Sequence, residues 1–151
     1  MPSHRIHLKG PWDFAWKKGV LEGSGEFAVS GSVSMPREWN AIFGQSSGVV
    51  QFRRKFHRPT NLDPHERVML VMTEVRGTGA IQLNQHQLGQ FEGTGNAVEF
   101  EITTLMDSFN EVAIELQFDP RSDPGVAGGL YGAVALDIHS DEIGSGFESR
   151  Q

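Results

Sequence analysis

Cysteine is absent from the 151-residue chain. That excludes thiol catalysis, disulfide frameworks and thiolate metal sites. Basic residues are scarce: 13 lysines and arginines stand against 19 aspartates and glutamates, a net charge of −6. A duplex-binding domain carries a basic surplus to displace counterions from phosphates, so nucleic acid is not an expected partner. The one dense basic cluster, Arg53-Arg54-Lys55 followed by Arg58, alternates faces on a strand and gives no continuous patch. No apolar run approaches the roughly 20 residues of a membrane helix. The opening Met1-Pro2-Ser3-His4-Arg5-Ile6-His7 is polar and lacks the apolar segment of an export signal. The expectation is a chain with no membrane partner, cytoplasmic by default. Catalytic patterns are missing as well. His4, His7, His57, His65, His86 and His139 stand singly, with no helical His-x-x-x-His pair for zinc, so no metal site is expected. No serine sits in a nucleophile-elbow pattern. The Gly-x-Gly steps at Gly23–Gly25, Gly77–Gly79 and Gly93–Gly95 lack the strand-turn-helix setting of a phosphate loop and read as hairpin ends.

What the chain does have is turn residues and alternation. Its 18 glycines and 7 prolines disfavour helix, while 38% hydrophobic and 21% charged residues mark a folded globular chain. Apolar residues recur with period two: Trp12, Phe14 and Trp16; Phe27 and Val29; Val68, Leu70 and Met72; Ile81 and Leu83. Val98, Phe100 and Ile102, then Val112, Ile114, Leu116 and Phe118, then Val134, Leu136 and Ile138, repeat the pattern of half-buried antiparallel strands. The fold class is all-β, a sandwich or barrel. One or two short helical turns fit, at Met35–Asn40, where proline suits a helix start, and at Thr103–Asp107, with a threonine as cap. Residues 1–139 read as a single β domain and 140–151 as a frayed polar tail. The loop Asp119–Gly129 is longer than a hairpin requires, and long loops on rigid scaffolds tend to carry function.

Several residues have purely structural readings. Trp12, Phe14 and Trp16 share one strand face and read as core. Leu83-Asn84-Gln85-His86-Gln87-Leu88 reads as two strands around a tight turn, where asparagine accepts positive φ cheaply. Trp39, in a turn segment, either plugs one end of the fold or lies exposed for stacking on a sugar ring.

Read in order, eight blocks resemble the N-terminal sugar-binding domain of family 2 glycoside hydrolases, the β-galactosidase and β-glucuronidase group. They are Leu8-Lys9-Gly10-Pro11-Trp12-Asp13-Phe14, Val33-Ser34-Met35-Pro36-Arg37-Glu38-Trp39-Asn40, Gly48 to Phe56, Arg67-Val68-Met69-Leu70, Ala80-Ile81-Gln82-Leu83-Asn84, Phe100 to Leu105, Asn110-Glu111-Val112, and Gly129-Leu130-Tyr131-Gly132 with the strand after it. The resemblance covers Leu8 to Ile138. It implies a galactose-binding-like jelly roll of two antiparallel sheets. It further implies a carbohydrate-binding module without catalysis, because in the resembled enzymes both carboxylates belong to a later barrel, and such a barrel takes about 250 residues. Pairs such as Glu99 and Glu101 then only keep a strand face soluble. In that family an aspartate before the glycine-isoleucine-tyrosine-arginine block binds substrate hydroxyls, and Asp123 stands at a similar distance before Gly129. A carboxylate can accept two hydrogen bonds from vicinal hydroxyls; an aspartate before Pro124-Gly125 also simply starts a turn. The resemblance places Asp123, Trp39, Asn40, Tyr131 and Arg121 as candidate sugar-binding residues, with Asp119 beside them. Gly132 replaces the family's arginine and removes a charge anchor. Some galactose-binding-like domains hold calcium, but no calcium motif is present, so no cofactor is expected. The partner is a mono- or oligosaccharide. The alternative is a protein partner, for an interaction domain that kept the sandwich and lost the sugar site, or for an accessory chain of a separate hydrolase.

Overall fold

The alternating segments pair into two antiparallel sheets in the computed structural model of the chain, which describes residues 4–20 and 29–140. The first sheet runs in the order β1 (His4–His7), β10 (Val134–Ser140), β5 (Glu66–Met72), β8 (Val98–Glu101). The second has six strands: β3 (Ser30–Val33), β2 (Trp12–Val20), β4 (Ser47–His57), β9 (Phe109–Phe118), β6 (Arg76–Leu83) and β7 (His86–Thr94). The expected strand pair of Phe27 and Val29, the Gly23–Gly25 step and the tail beyond Ser140 lie wholly or partly outside the described residues.

The sheets form a β-sandwich because each buries the apolar half of its alternation. Val68, Leu70 and Met72 of β5 and Val134, Leu136 and Ile138 of β10 meet Phe14, Val50, Phe52, Ile81, Ile114 and Leu116 of the larger sheet. Fully burying each such side chain contributes about 1.5–3 kcal/mol. Trp12 and Phe14 are core, as their spacing predicts. Trp16 packs on the core but is only partly buried. Between it and Lys18 the register against β4 slips by a bulge, which breaks the alternation.

The helical turns are displaced from their expected positions. The helix α1 (Trp39–Phe43) starts at Trp39 rather than at the proline, and a 3₁₀ turn lies at Pro120–Ser122 inside the long loop. Thr103 caps no helix: its hydroxyl accepts from Val68 N–H at 2.9 Å and donates to Glu101 Oε2 at 2.9 Å, tying two segments together. Nor are Gly77, Gly79 and Gly93 hairpin ends. They lie within β6 and β7, with Gly77 opposite Gly93, and a side chain at Gly79 would put its Cβ 2.0 Å from Glu115 O. The β6–β7 hairpin turns instead at Asn84, with φ 58°, as its sequence predicts. Asn84 also accepts from Glu111 N–H at 2.9 Å and donates to Asn110 Oδ1 at 3.1 Å, which fastens the hairpin to β9. No helix among the described residues is long and apolar enough to cross a membrane.

Candidate functional site

The loop that joins β9 to β10 is built by local hydrogen bonding at its start and by the sandwich at its end. Asp119 caps the 3₁₀ turn: its Oδ1 accepts from Arg121 N–H at 3.0 Å, and its carbonyl accepts from Ser122 Oγ at 2.7 Å. At the far end, Gly129 and Arg76 exchange two backbone hydrogen bonds of 3.1 and 2.9 Å. Trp39 N–H donates to Gly128 O at 2.9 Å, and Arg37 N–H to Leu130 O at 3.0 Å. Only glycines fit here. A Cβ on Gly128 would come 2.1 Å from the Phe118 ring, and Gly129 adopts φ +72° with its Cα side against Trp39.

Between this loop and the end of the six-stranded sheet lies a cleft of about 520 Å³. Asp119, Ser122 and Asp123 form its loop wall, Arg76, Thr78 and Glu92 face them, and Gly48, Gly77 and Gly93 contribute to its lining. Arg76 is the organising side chain. Its Nε donates to Ala127 O at 3.1 Å and its Nη1 stands 3.6 Å from Asp123 Oδ2. Asp123 is half exposed, at 49%, and Arg76 is 24% exposed. The arrangement therefore offers carboxylate acceptors on one wall and a positioned guanidinium on the other. Such a set serves a polyhydroxylated ligand, whose hydroxyls both donate and accept.

Of the five candidates, the structure brings only Asp123 to this cleft. Trp39 is 1% exposed, with ring centroids 5.9, 4.9 and 5.5 Å from Trp16, Phe43 and Phe118, and its Nε1 donates to Ser46 O at 2.8 Å. It plugs the sandwich end, and no ring face remains for a sugar. Asn40 is exposed on α1 and outside the cleft lining. Arg121 turns back on Asp119, with Nε 3.5 Å from Oδ1, and also lies outside the lining. Tyr131 is partly buried, and its hydroxyl and Arg76 Nη2 both crowd Gly95. Asp119 does join Asp123 at the cleft. Arg76 was not singled out by sequence; the available signal was a lone cation between buried Val75 and the glycine-rich start of β6. Position 132 has no room for a side chain at all, because a Cβ there would lie 2.5 Å from Thr73 Oγ1 and 2.6 Å from Glu74 N. The cation at this end comes from β6 instead.

Glu101 is exposed beside Thr103 and lies 4.0 Å from Arg67. No group of three or more His, Asp or Glu residues among those described is placed to hold a metal ion.

Solved structures place this architecture. The sandwich superposes on the FMN-binding β-glucuronidase of Facaelibacterium prausnitzii L2-6 with a TM-score of 0.69 at 23% identity, covering 89% of this chain and 22% of that one. The fold is that of a β-sandwich domain in the family 2 glycoside hydrolases. The Bifidobacterium dentium β-glucuronidase matches with a TM-score of 0.70 at 16% identity, over 91% of this chain and 30% of that one. A putative β-galactosidase from Bacteroides fragilis matches at 0.68 and 23% identity, over 91% and 23% respectively. The chain thus spans less than a third of the length of these enzymes. No family model matches its sequence, and no curated protein does.

Proposed function

We propose that the protein is a non-catalytic carbohydrate-binding module that takes a sugar in the cleft between the Asp119–Gly129 loop and β6. The observation that carries this reading is the half-exposed Asp123 carboxylate, held 3.6 Å from Arg76 in the lining of a cleft of about 520 Å³. Asp123 accepts from two vicinal hydroxyls while Arg76 donates to a third oxygen. The likeness in fold to β-glucuronidases and a β-galactosidase supports a sugar as the ligand class. Catalysis is no part of this reading, because a hydrolytic pair needs two carboxylates flanking one scissile bond. Asp119 and Asp123 instead share a solvent-open wall.

Isothermal calorimetry with monosaccharides tests the reading. Millimolar to micromolar affinity is expected, falling at least tenfold in Asp123→Ala, equivalent to about 1.4 kcal/mol. Well-folded protein that binds no sugar, or an Asp123→Ala variant with unchanged affinity, overturns it.

A further inference from the structure

The open face of the six-stranded sheet is divided in two by how its polar side chains are used. Far from the cleft most of them are paired with one another. Ser32 Oγ donates to Asp13 at 3.0 Å, Gln87 Nε2 to Gln82 at 2.9 Å, and Arg53 to Gln51 at 3.1 Å and Glu111 at 3.3 Å. Toward the cleft the pairing stops. Lys18, Val49, Gln117, Thr78 and Glu92 form one row across β2, β4, β9, β6 and β7. In the next row Gln51, Glu115, Ala80 and Gln90 stand side by side. The polar side chains of these two rows, from Lys18 to Gln90, make no hydrogen bond or ion pair with any described residue, save Gln51 at the far boundary. They surround a groove of about 860 Å³ that Val49, Gly79, Ala80 and Phe91 also line.

This groove is continuous with the Asp123 cleft. Thr78, Glu92 and Gln117 line both. Four inter-strand spacings of ~4.8 Å make the groove about 19 Å across from β2 to β7, room for several pyranose rings. We propose that the groove holds the continuation of a neutral oligosaccharide whose end unit occupies the Asp123 cleft; the placement of that end unit rests on the sugar reading given above.

The chemistry favours this occupant on three grounds. Gln90 and Gln117 amides offer both donors and acceptors, as a row of sugar hydroxyls requires. Lys17 and Lys18 on one side are balanced by Glu92 and Glu115 on the other, which suits an uncharged chain rather than a polyanionic one. The large hydrophobic residues exposed among those described are Val29, Phe109 and Val126, and none lines the groove. A protein partner would lack the apolar anchor around which interface energy concentrates.

The test is calorimetry with glucose, galactose, mannose and xylose, each as the monomer and as a linear tetramer. It uses the unaltered chain, the double variant Gln90→Ala/Glu115→Ala and Asp123→Ala. A tetramer binding about tenfold or more tighter than its monomer is expected, the equivalent of one or two net hydrogen bonds. The gain should vanish in the double variant while monomer affinity stays. Gln90 and Glu115 are exposed and lie outside the lining of the Asp123 cleft, so truncating them leaves folding and the cleft intact. Equal affinity for monomer and tetramer, or a gain that survives the double variant, overturns the groove and leaves the cleft reading standing. Tetramer binding that depends on Gln90 and Glu115 but ignores Asp123→Ala supports the groove and removes the cleft. Binding of no sugar at either length overturns both.

Discussion

Replacing Trp39 by alanine removes the side chain that closes the sandwich beside the long loop. The ring is 1% exposed and touches Trp16, Phe43 and Phe118, and its indole N–H satisfies Ser46 O at 2.8 Å. Truncating a buried aromatic costs about 3–5 kcal/mol from lost transfer energy plus the cavity left behind. Loss of the indole bond to the buried Ser46 adds to that cost. A loss of about 4 kcal/mol is a large share of the 5–15 kcal/mol stability usual for a domain. It corresponds to a fall in Tm of roughly 8–16 °C at this size. Trp39→Phe keeps a ring but loses the N–H and part of the volume, and about 2 kcal/mol is expected. Urea unfolding followed by near-ultraviolet circular dichroism reads both. A Trp39→Ala loss below about 1 kcal/mol with an unchanged m-value would refute the plug, since an exposed stacking platform costs little to truncate.

Three further outcomes follow from the geometry. Gly79→Ala sets a Cβ against Glu115 O on the neighbouring strand; a loss of at least about 3 kcal/mol is expected on urea unfolding. Arg5→Ala removes the partner that holds the buried Asp137 carboxylate through bonds of 2.6 and 2.7 Å, the same bonds that raise the pKa of Arg5 above its ordinary value. About 2–4 kcal/mol is expected, because Asp137 is left as an unpaired buried charge, and thermal melts at neutral pH measure it. Arg76→Met cuts the Ala127 bond and the Asp123 contact while leaving the backbone bridge to Gly129. It should cost about 1–2 kcal/mol, speed amide exchange at Val126 and leave Gly129 protected, as hydrogen-exchange mass spectrometry would show.

The β class and most of the core were legible in the sequence because period-two alternation is a local property. Val112, Ile114, Leu116 and Phe118 state their burial in one short stretch, and the structure buries all four. Trp16 departs from its pattern because a bulge is a relation between two strands, which one strand cannot announce. The glycines of β6 and β7 were misread for the same reason: their need for close approach comes from Glu115, Gln117 and Val75 on other segments. Asp123 was visible through its position in a long turn-rich loop. Arg76 was not, since it meets Ala127 only after a separation of 51 residues. Trp39 allowed two readings because a turn residue can face either way, and burial by three other rings decided between them.

The backbone bridge between Arg76 and Gly129, with the Trp39–Gly128 bond beside it, has a consequence for engineering the loop. Because Asp119 caps the 3₁₀ turn at one end, with Pro120 buried beside it, and residues 128–130 are stitched to β6 and α1 at the other, the stretch 121–127 is a cassette with both hems sewn. Its composition can be rewritten without disturbing the sandwich beneath. Whatever the cassette presents arrives at a fixed height above Thr78 and Glu92. Selecting new ligand preferences from a library confined to those seven positions is therefore a test of surface chemistry alone, with folding held constant.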